Sequence, residues 1–202
     1  MMQNPFFSSY TFTPFHLIRN EHIAPAVHQG IDEQLKEIEA IVSNPEPPTF
    51  ANTILALENS GALLDRVTTV MYNLLSAHTN DELEGIAQEL SPVLSEHSSN
   101  IMLNEGLYLR VKAVMDGGLS DLDEEERMLL EKTYESFERA GANLTPEKKE
   151  RFREIKKELS QLTLQFSQNN LKETNDFILH VTDEADLAGL PDSQREQANM
   201  AA

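Results

Sequence analysis

Six histidines and 34 acidic residues are the side chains of this 202-residue chain best suited to chemistry. Histidine ligates metals and moves protons near neutral pH. Paired carboxylates do general acid–base work when a cleft drives their pKa values apart. The spacing supports neither use. The histidines are His16, His22, His28, His78, His97 and His180. His22 and His28 are six residues apart, about 240° round a helix, so they cannot share a metal from one helix. His97 is followed by Ser98, and Ile101 stands four residues on, so the zinc-binding pattern H-E-x-x-H is absent. His78 and His97 fall on or near apolar seams, where partly buried, hydrogen-bonded histidines are expected. The acidic groups Glu37/Glu39, Asp81/Glu82/Glu84 and Asp121–Glu126 lie at predicted helix starts or on polar faces. Capping and solvation explain them. The Asp121–Glu126 run also lacks the glycine and terminal glutamate of a calcium loop. There is no G-x-S-x-G, no G-x-x-x-x-G-K-[ST] and no G-x-G-x-x-G. With no cysteine, thiol nucleophiles, disulfides and cysteine-based zinc sites are excluded. No catalytic residue, no metal ligand and no substrate-binding residue is therefore assigned.

The elements that would position any site are helical. Residues 1–20 read as an extended, aromatic-rich arm: Pro5 and Pro14 interrupt it, and Phe6, Phe7, Tyr10, Phe12 and Phe15 give it side chains to bury. A helix is predicted from Pro25, with Val27, Ile31, Leu35, Ile38 and Val42 as one stripe, ended by Asn44-Pro45-Glu46-Pro47-Pro48. A second starts around Thr49–Asn52 and carries Ile54, Leu57, Gly61, Leu64, Val67, Met71 and Leu74. Gly61 either sits at a close helix approach or belongs to a break at Asn59-Ser60-Gly61. Thr79-Asn80-Asp81-Glu82 has the form of a capping box for a third, whose stripe runs from Leu83 to Ile101 with a kink expected at Pro92. A shorter helix follows, from Leu107 to Met115. The next opens at Ser120–Asp123 and runs to Gly141. Thr145-Pro146-Glu147 opens another, with Phe152, Ile155, Leu159, Leu162 and Phe166 as a seam facing a further helix. Phe177-Ile178-Leu179-His180-Val181 is β-prone and is expected to be a short strand. Asp183 caps a turn, and Asp192 or Ser193 a last helix.

The fold class is thus mostly α. Long antiparallel helices are expected to pack in a bundle-like domain over 1–174, with residues 175–202 the truncated start of a following segment. Forty per cent of the residues are hydrophobic, enough for a core. The net charge is −18, which argues against nucleic acid and against anionic membranes, since both need clustered Lys and Arg. Residues 110–157 are charged but balanced, as expected for helix faces carrying ion pairs. No run is apolar enough to span a bilayer, and the first twenty residues do not resemble a secretory signal, so a cytoplasmic protein is expected.

Several blocks occur in a telling order. They include Asn4-Pro5-Phe6, His22-Ile23-Ala24-Pro25-Ala26, Phe50–Gly61 in the form F-x-N-T-I-x-A-L-E-x-S-G, Ala77–Leu83, Leu162–Asn169, and Asp183–Leu190 in the form D-E-A-x-L-A-G-L. Together, from residue 4 to 202, the chain resembles the N-terminal region of bacterial peptidyl-dipeptidases. These are zinc metallopeptidases of the thimet-oligopeptidase type, with oligopeptidase A a close relative. Members are much longer. The resemblance implies a zinc site, an H-E-x-x-H helix plus a downstream glutamate, in a C-terminal half that this chain does not include. None of those residues is present here, so none is carried over, and this chain is expected to bind no zinc. The resemblance further implies that the helical N-terminal part walls a deep channel that admits short unstructured peptides and excludes folded proteins. The full enzyme would remove dipeptides from peptide C-termini. The alternative is a free-standing helical interaction module without enzymatic activity.

Overall fold

The computed structural model describes residues 4–8, 10–118 and 120–201. The expected arm includes residues 1–3 and 9, and the expected last segment ends at 202; these lie outside the described residues. The fold is all-α, as the periodicities predict. The chain divides into two compact units, Met1–Leu162 and Thr163–Ala202.

The first unit begins with a 3₁₀ turn, Pro5–Phe7, capped by the Asn4 side chain. Helices α1 (Ile23–Val42), α2 (Ala56–Glu58), α3 (Ala62–Ala77), α4 (Asp81–Met102), α5 (Glu105–Asp116), α6 (Glu124–Arg139) and α7 (Pro146–Asp176) follow, α7 running on into the second unit. Helix α1 is the spine. Its N-terminal half supplies Ile23, Ala26 and Val27 to one apolar core, shared with Phe6, with Leu64, Val67 and Met71 of α3, and with Leu83 and Leu90 of α4. Its C-terminal half supplies Ile38 and Ile41 to a second core, shared with Ile54, with Leu107 and Val111 of α5, and with Leu130 and Phe137 of α6. The buried line of α1 therefore runs Ile23, Val27, Gly30, Ile38, Ile41, and the predicted stripe member Leu35 is exposed. Gln34 takes the seam position instead, one residue earlier, because steps of three and four from Val27 lead through Gly30 to residue 34.

The long second helix is broken. Phe50–Leu55 form a π-helical turn closed by reciprocal bonds, Asn52 N–H to Thr49 Oγ1 at 3.1 Å and Thr49 N–H to Asn52 Oδ1 at 2.8 Å. One α-turn follows, and the chain then swings at Gly61, whose φ of +74° is the left-handed conformation glycine adopts without steric cost. The close helix approach lies elsewhere: a Cβ on Gly30 would stand 2.9 Å from the Leu64 backbone. Asn80, not Thr79, caps α4, its side chain accepting the Leu83 N–H at 3.0 Å. The helix passes Pro92 without interruption. Asp123 and Glu126 form a capping box at the start of α6. Among the described residues the Lys and Arg ion pairs fall between Lys112 and Glu154, the balanced stretch.

Two further expectations are corrected in this unit. Of the arm's aromatic residues only Phe6 is buried; Phe7, Tyr10, Phe12 and Phe15 are exposed. The backbone supplies the anchoring: Asn4 Nδ2 donates to the His22 carbonyl at 2.8 Å and Arg66 Nη2 to the Phe6 carbonyl at 2.6 Å. Ile155, Leu159 and Leu162 of α7 are about half exposed. No side chain of α7 is buried, so the predicted seam has no helix over it among the described residues.

The second unit contains the end of α7, the segment 177–182, a 3₁₀ turn Glu184–Leu187 and α8 (Asp192–Ala201). The expected strand at 177–181 does not form. Among the described residues there is no strand to pair with it, and a single extended segment has nowhere to direct its backbone groups except water. Phe177, Ile178 and Leu179 are accordingly exposed. Asp183 caps the 3₁₀ turn through the Ala185 N–H, as expected. Arg195 ties α8 back by donating to the Leu187 and Leu190 carbonyls.

Candidate functional site

A concavity of the first unit lies where α3 and α4 meet α1. It is an open groove of about 770 Å³. Its walls are the first three turns of α3, from Ala62 to Tyr72, and the C-terminal turns of α4, from Leu94 to Met102. Both lie away from the His78–Asn80 connection that holds the two helices together. Gln34 and the Asn59–Gly61 turn complete it.

A chain of hydrogen bonds crosses this junction. His97 Nε2 lies 2.7 Å from Gln34 Oε1, which makes the ring nitrogen the donor. Gln34 Nε2 reaches Ser60 Oγ at 3.3 Å, and Ser60 Oγ donates to the Leu57 carbonyl at 2.7 Å. One turn further along α1, Glu37 Oε2 accepts the Gly61 N–H at 2.7 Å. The left-handed Gly61 is what allows this fit: a Cβ there would stand 2.4 Å from Gln34 Nε2. The polar segment Asn59-Ser60-Gly61 is therefore bound side-on by two residues of α1. His97 is nearly fully buried, and burial pushes its imidazolium pKa below the ordinary 6.5. A neutral, hydrogen-bonded histidine in this position is structural, as the seam position predicts.

The other histidines do not converge on it. His78, expected on an apolar seam, is exposed at the end of α3. His16, His28 and His180 are exposed. His22 accepts the Arg19 N–H at Nδ1. Among the described residues no three His, Cys, Asp or Glu side chains gather so as to hold a metal ion. The donor set therefore does not fit zinc.

Two other polar clusters are structural. Arg110 is buried on α5 and donates to the Asn44 and Glu46 carbonyls and to Asn52 Oδ1, pinning the proline-rich connection between α1 and the π turn. Tyr108 stacks on Tyr134 and donates its hydroxyl to Glu138, joining α5 to α6. That bond and burial raise the phenol's pKa. Sequence reasoning missed both, because an arginine or tyrosine on a helix carries no local signal that its partners lie 30 or 60 residues away.

Comparison with known proteins finds relatives much longer than this chain. No protein-family model matches the chain. It is 40% identical over 194 residues, 96% of its length, to a dipeptidyl carboxypeptidase of Escherichia coli. It is 32% identical over 193 residues to oligopeptidase A of Salmonella typhimurium, and 33% identical over all 202 to oligopeptidase A of Haemophilus influenzae. The match covers 28%, 28% and 30% of those relatives' own lengths. No helix among the described residues is long and apolar enough to cross a membrane. Nearly the whole chain thus matches, while the relatives extend far beyond it, and it corresponds to an N-terminal portion of the dipeptidyl carboxypeptidase and oligopeptidase A family.

Proposed function

We propose that this chain is the non-catalytic N-terminal helical part of a zinc-dependent peptidyl-dipeptidase, forming one wall of the channel through which short, unstructured peptides reach the catalytic half. The complete enzyme would release dipeptides from peptide C-termini in the cytoplasm. The observation that carries this reading is the 40% identity to a dipeptidyl carboxypeptidase across 96% of the chain, with 28% of that relative covered. In this reading the zinc site belongs to sequence that the longer relatives have beyond the matched portion. In this reading the chain contributes shape. Two apolar cores joined through α1 give rigid helices, and rigid walls exclude folded proteins by size alone.

The test compares the 202-residue chain with the product of the complete reading frame. Each is incubated with an N-acetylated pentapeptide, and products are identified by mass spectrometry. The longer protein releases the C-terminal dipeptide and loses that activity on chelation. The 202-residue chain alone leaves the peptide intact and holds no stoichiometric zinc. One zinc per 202-residue chain, or no cleavage by the longer protein, would overturn the assignment.

A further inference from the structure

The groove between α3 and α4 has a chemistry that the hydrogen-bond chain beneath it does not use. Asp65 on α3 and Glu58 on α2 line it, both are exposed, and neither carboxylate has a hydrogen-bond or ion-pair partner among the described residues. Among the described residues no lysine or arginine lines the groove, and the only other titratable groups facing it are the buried His97 and the Tyr72 phenol. Tyr72 is 46% exposed. Between these polar groups the wall is apolar: Leu64, Leu94, Ile101 and Met102.

We propose that this groove is a docking site for a basic amphipathic peptide segment, one that alternates lysine or arginine with aliphatic residues. Each feature has a counterpart in that ligand. A lysine side chain lays its methylene stem on apolar surface and keeps its ammonium group at the rim. Asp65 and Glu58 receive the charge, and the Tyr72 ring presents a face for a cation–π contact. The aliphatic residues of the ligand cover Leu94, Ile101 and Met102, in the manner of an apolar peptide face laid into a groove between helices. The net charge of −18 adds long-range attraction for a cationic partner and speeds encounter. The site goes beyond the channel-wall reading, because it names a ligand class and a place, and it can fail while that reading stands.

The probe is acetyl-Lys-Leu-Lys-Leu-Lys-amide, titrated into the ¹⁵N-labelled 202-residue chain. The charge-reversed acetyl-Glu-Leu-Glu-Leu-Glu-amide and spermidine serve as controls. Amide shifts are expected to concentrate at residues 58–72 and 94–102, with the acidic peptide silent and spermidine much weaker. The double variant Glu58→Gln/Asp65→Asn is expected to weaken the lysine peptide roughly tenfold, and Tyr72→Ala several-fold. Neither carboxylate supports another residue, so these changes leave the fold in place. Shifts scattered over the whole acidic surface would overturn the site, as would equal binding by the double variant. Spermidine shifting the groove as strongly as the peptide would reduce the effect to charge and overturn the peptide class. Groove signals that move with chain concentration alone would make a second copy the occupant and overturn it too.

Discussion

His97 Nε2 donates to Gln34 Oε1 across 2.7 Å, joining residues 63 positions apart and locking α4 to α1. Because the ring is buried and its imidazolium pKa is lowered by desolvation, the lock depends on pH with a definite sign. Well above pH 6.5 the ring is neutral in both folded and unfolded chains, and the stability it contributes is complete. As pH falls below that value the unfolded chain takes up the proton first, so stability declines until the folded ring also protonates. Urea midpoints between pH 7.5 and 5 should fall more steeply for the native chain than for His97→Gln. Parallel curves would show that His97 is not the titrating group.

Gly30 and Gly61 are predicted to tolerate alanine poorly, for different reasons. At Gly30 the added methyl meets the Leu64 backbone at 2.9 Å and forces α1 from α3, an overpacking cost of about 1–3 kcal/mol. At Gly61 it meets Gln34 and must also adopt φ +74°, with a cost of about the same size. Gly85 on α4 has nothing within 4 Å, and Gly85→Ala should stabilise by roughly 0.4–1 kcal/mol. Denaturation midpoints of the three variants check the order; a neutral Gly30→Ala would contradict the close α1–α3 approach.

Asn80 rather than Thr79 should prove to be the cap of α4. Asn80→Ala loses the bond to the Leu83 N–H and is expected to cost about 1 kcal/mol, with Thr79→Ala well below that. The same denaturation experiment decides it, and the reverse order would restore the capping box that the sequence suggests.

The uncovered apolar side of α7 within the first unit predicts self-association. Sedimentation of the 202-residue chain should show mass rising with concentration, and Leu159→Gln/Leu162→Gln should suppress it. Both residues are about half exposed, so the double change should alter stability by no more than about 0.5 kcal/mol per site. Phe137→Ala, by contrast, empties the second core and should cost about 3–5 kcal/mol. A monodisperse native chain at millimolar concentration would contradict the exposed face.

Helices written in local periodicity and capping were legible beforehand. Val27 and Ile38, the short helix from Leu107 to Met115, and Thr145-Pro146 mark their elements without reference to the rest of the molecule. The places where reading failed are set by distant partners. Gln34 looks polar and peripheral until Ser60 and His97 close round it. Leu35 looks like a core residue because nothing local says that residue 34 faces inward. Phe177-Ile178-Leu179 has strand composition, but a strand also needs a neighbour. The groove was invisible for the same reason: Asp65 and Tyr72 share a face of α3, but Glu58 stands before the Gly61 break and Met102 on α4, and these meet only in three dimensions. The family resemblance, by contrast, rested on the order of several short blocks, which a single chain displays in full.

The most direct measurement is the sequence of the reading frame beyond the codon for Ala202. The account predicts several hundred further in-frame codons, including H-E-x-x-H, which would make this chain the wall that precedes a zinc peptidase site. An immediate stop codon would contradict it and leave a helical module whose ligand, not its substrate, has to be found.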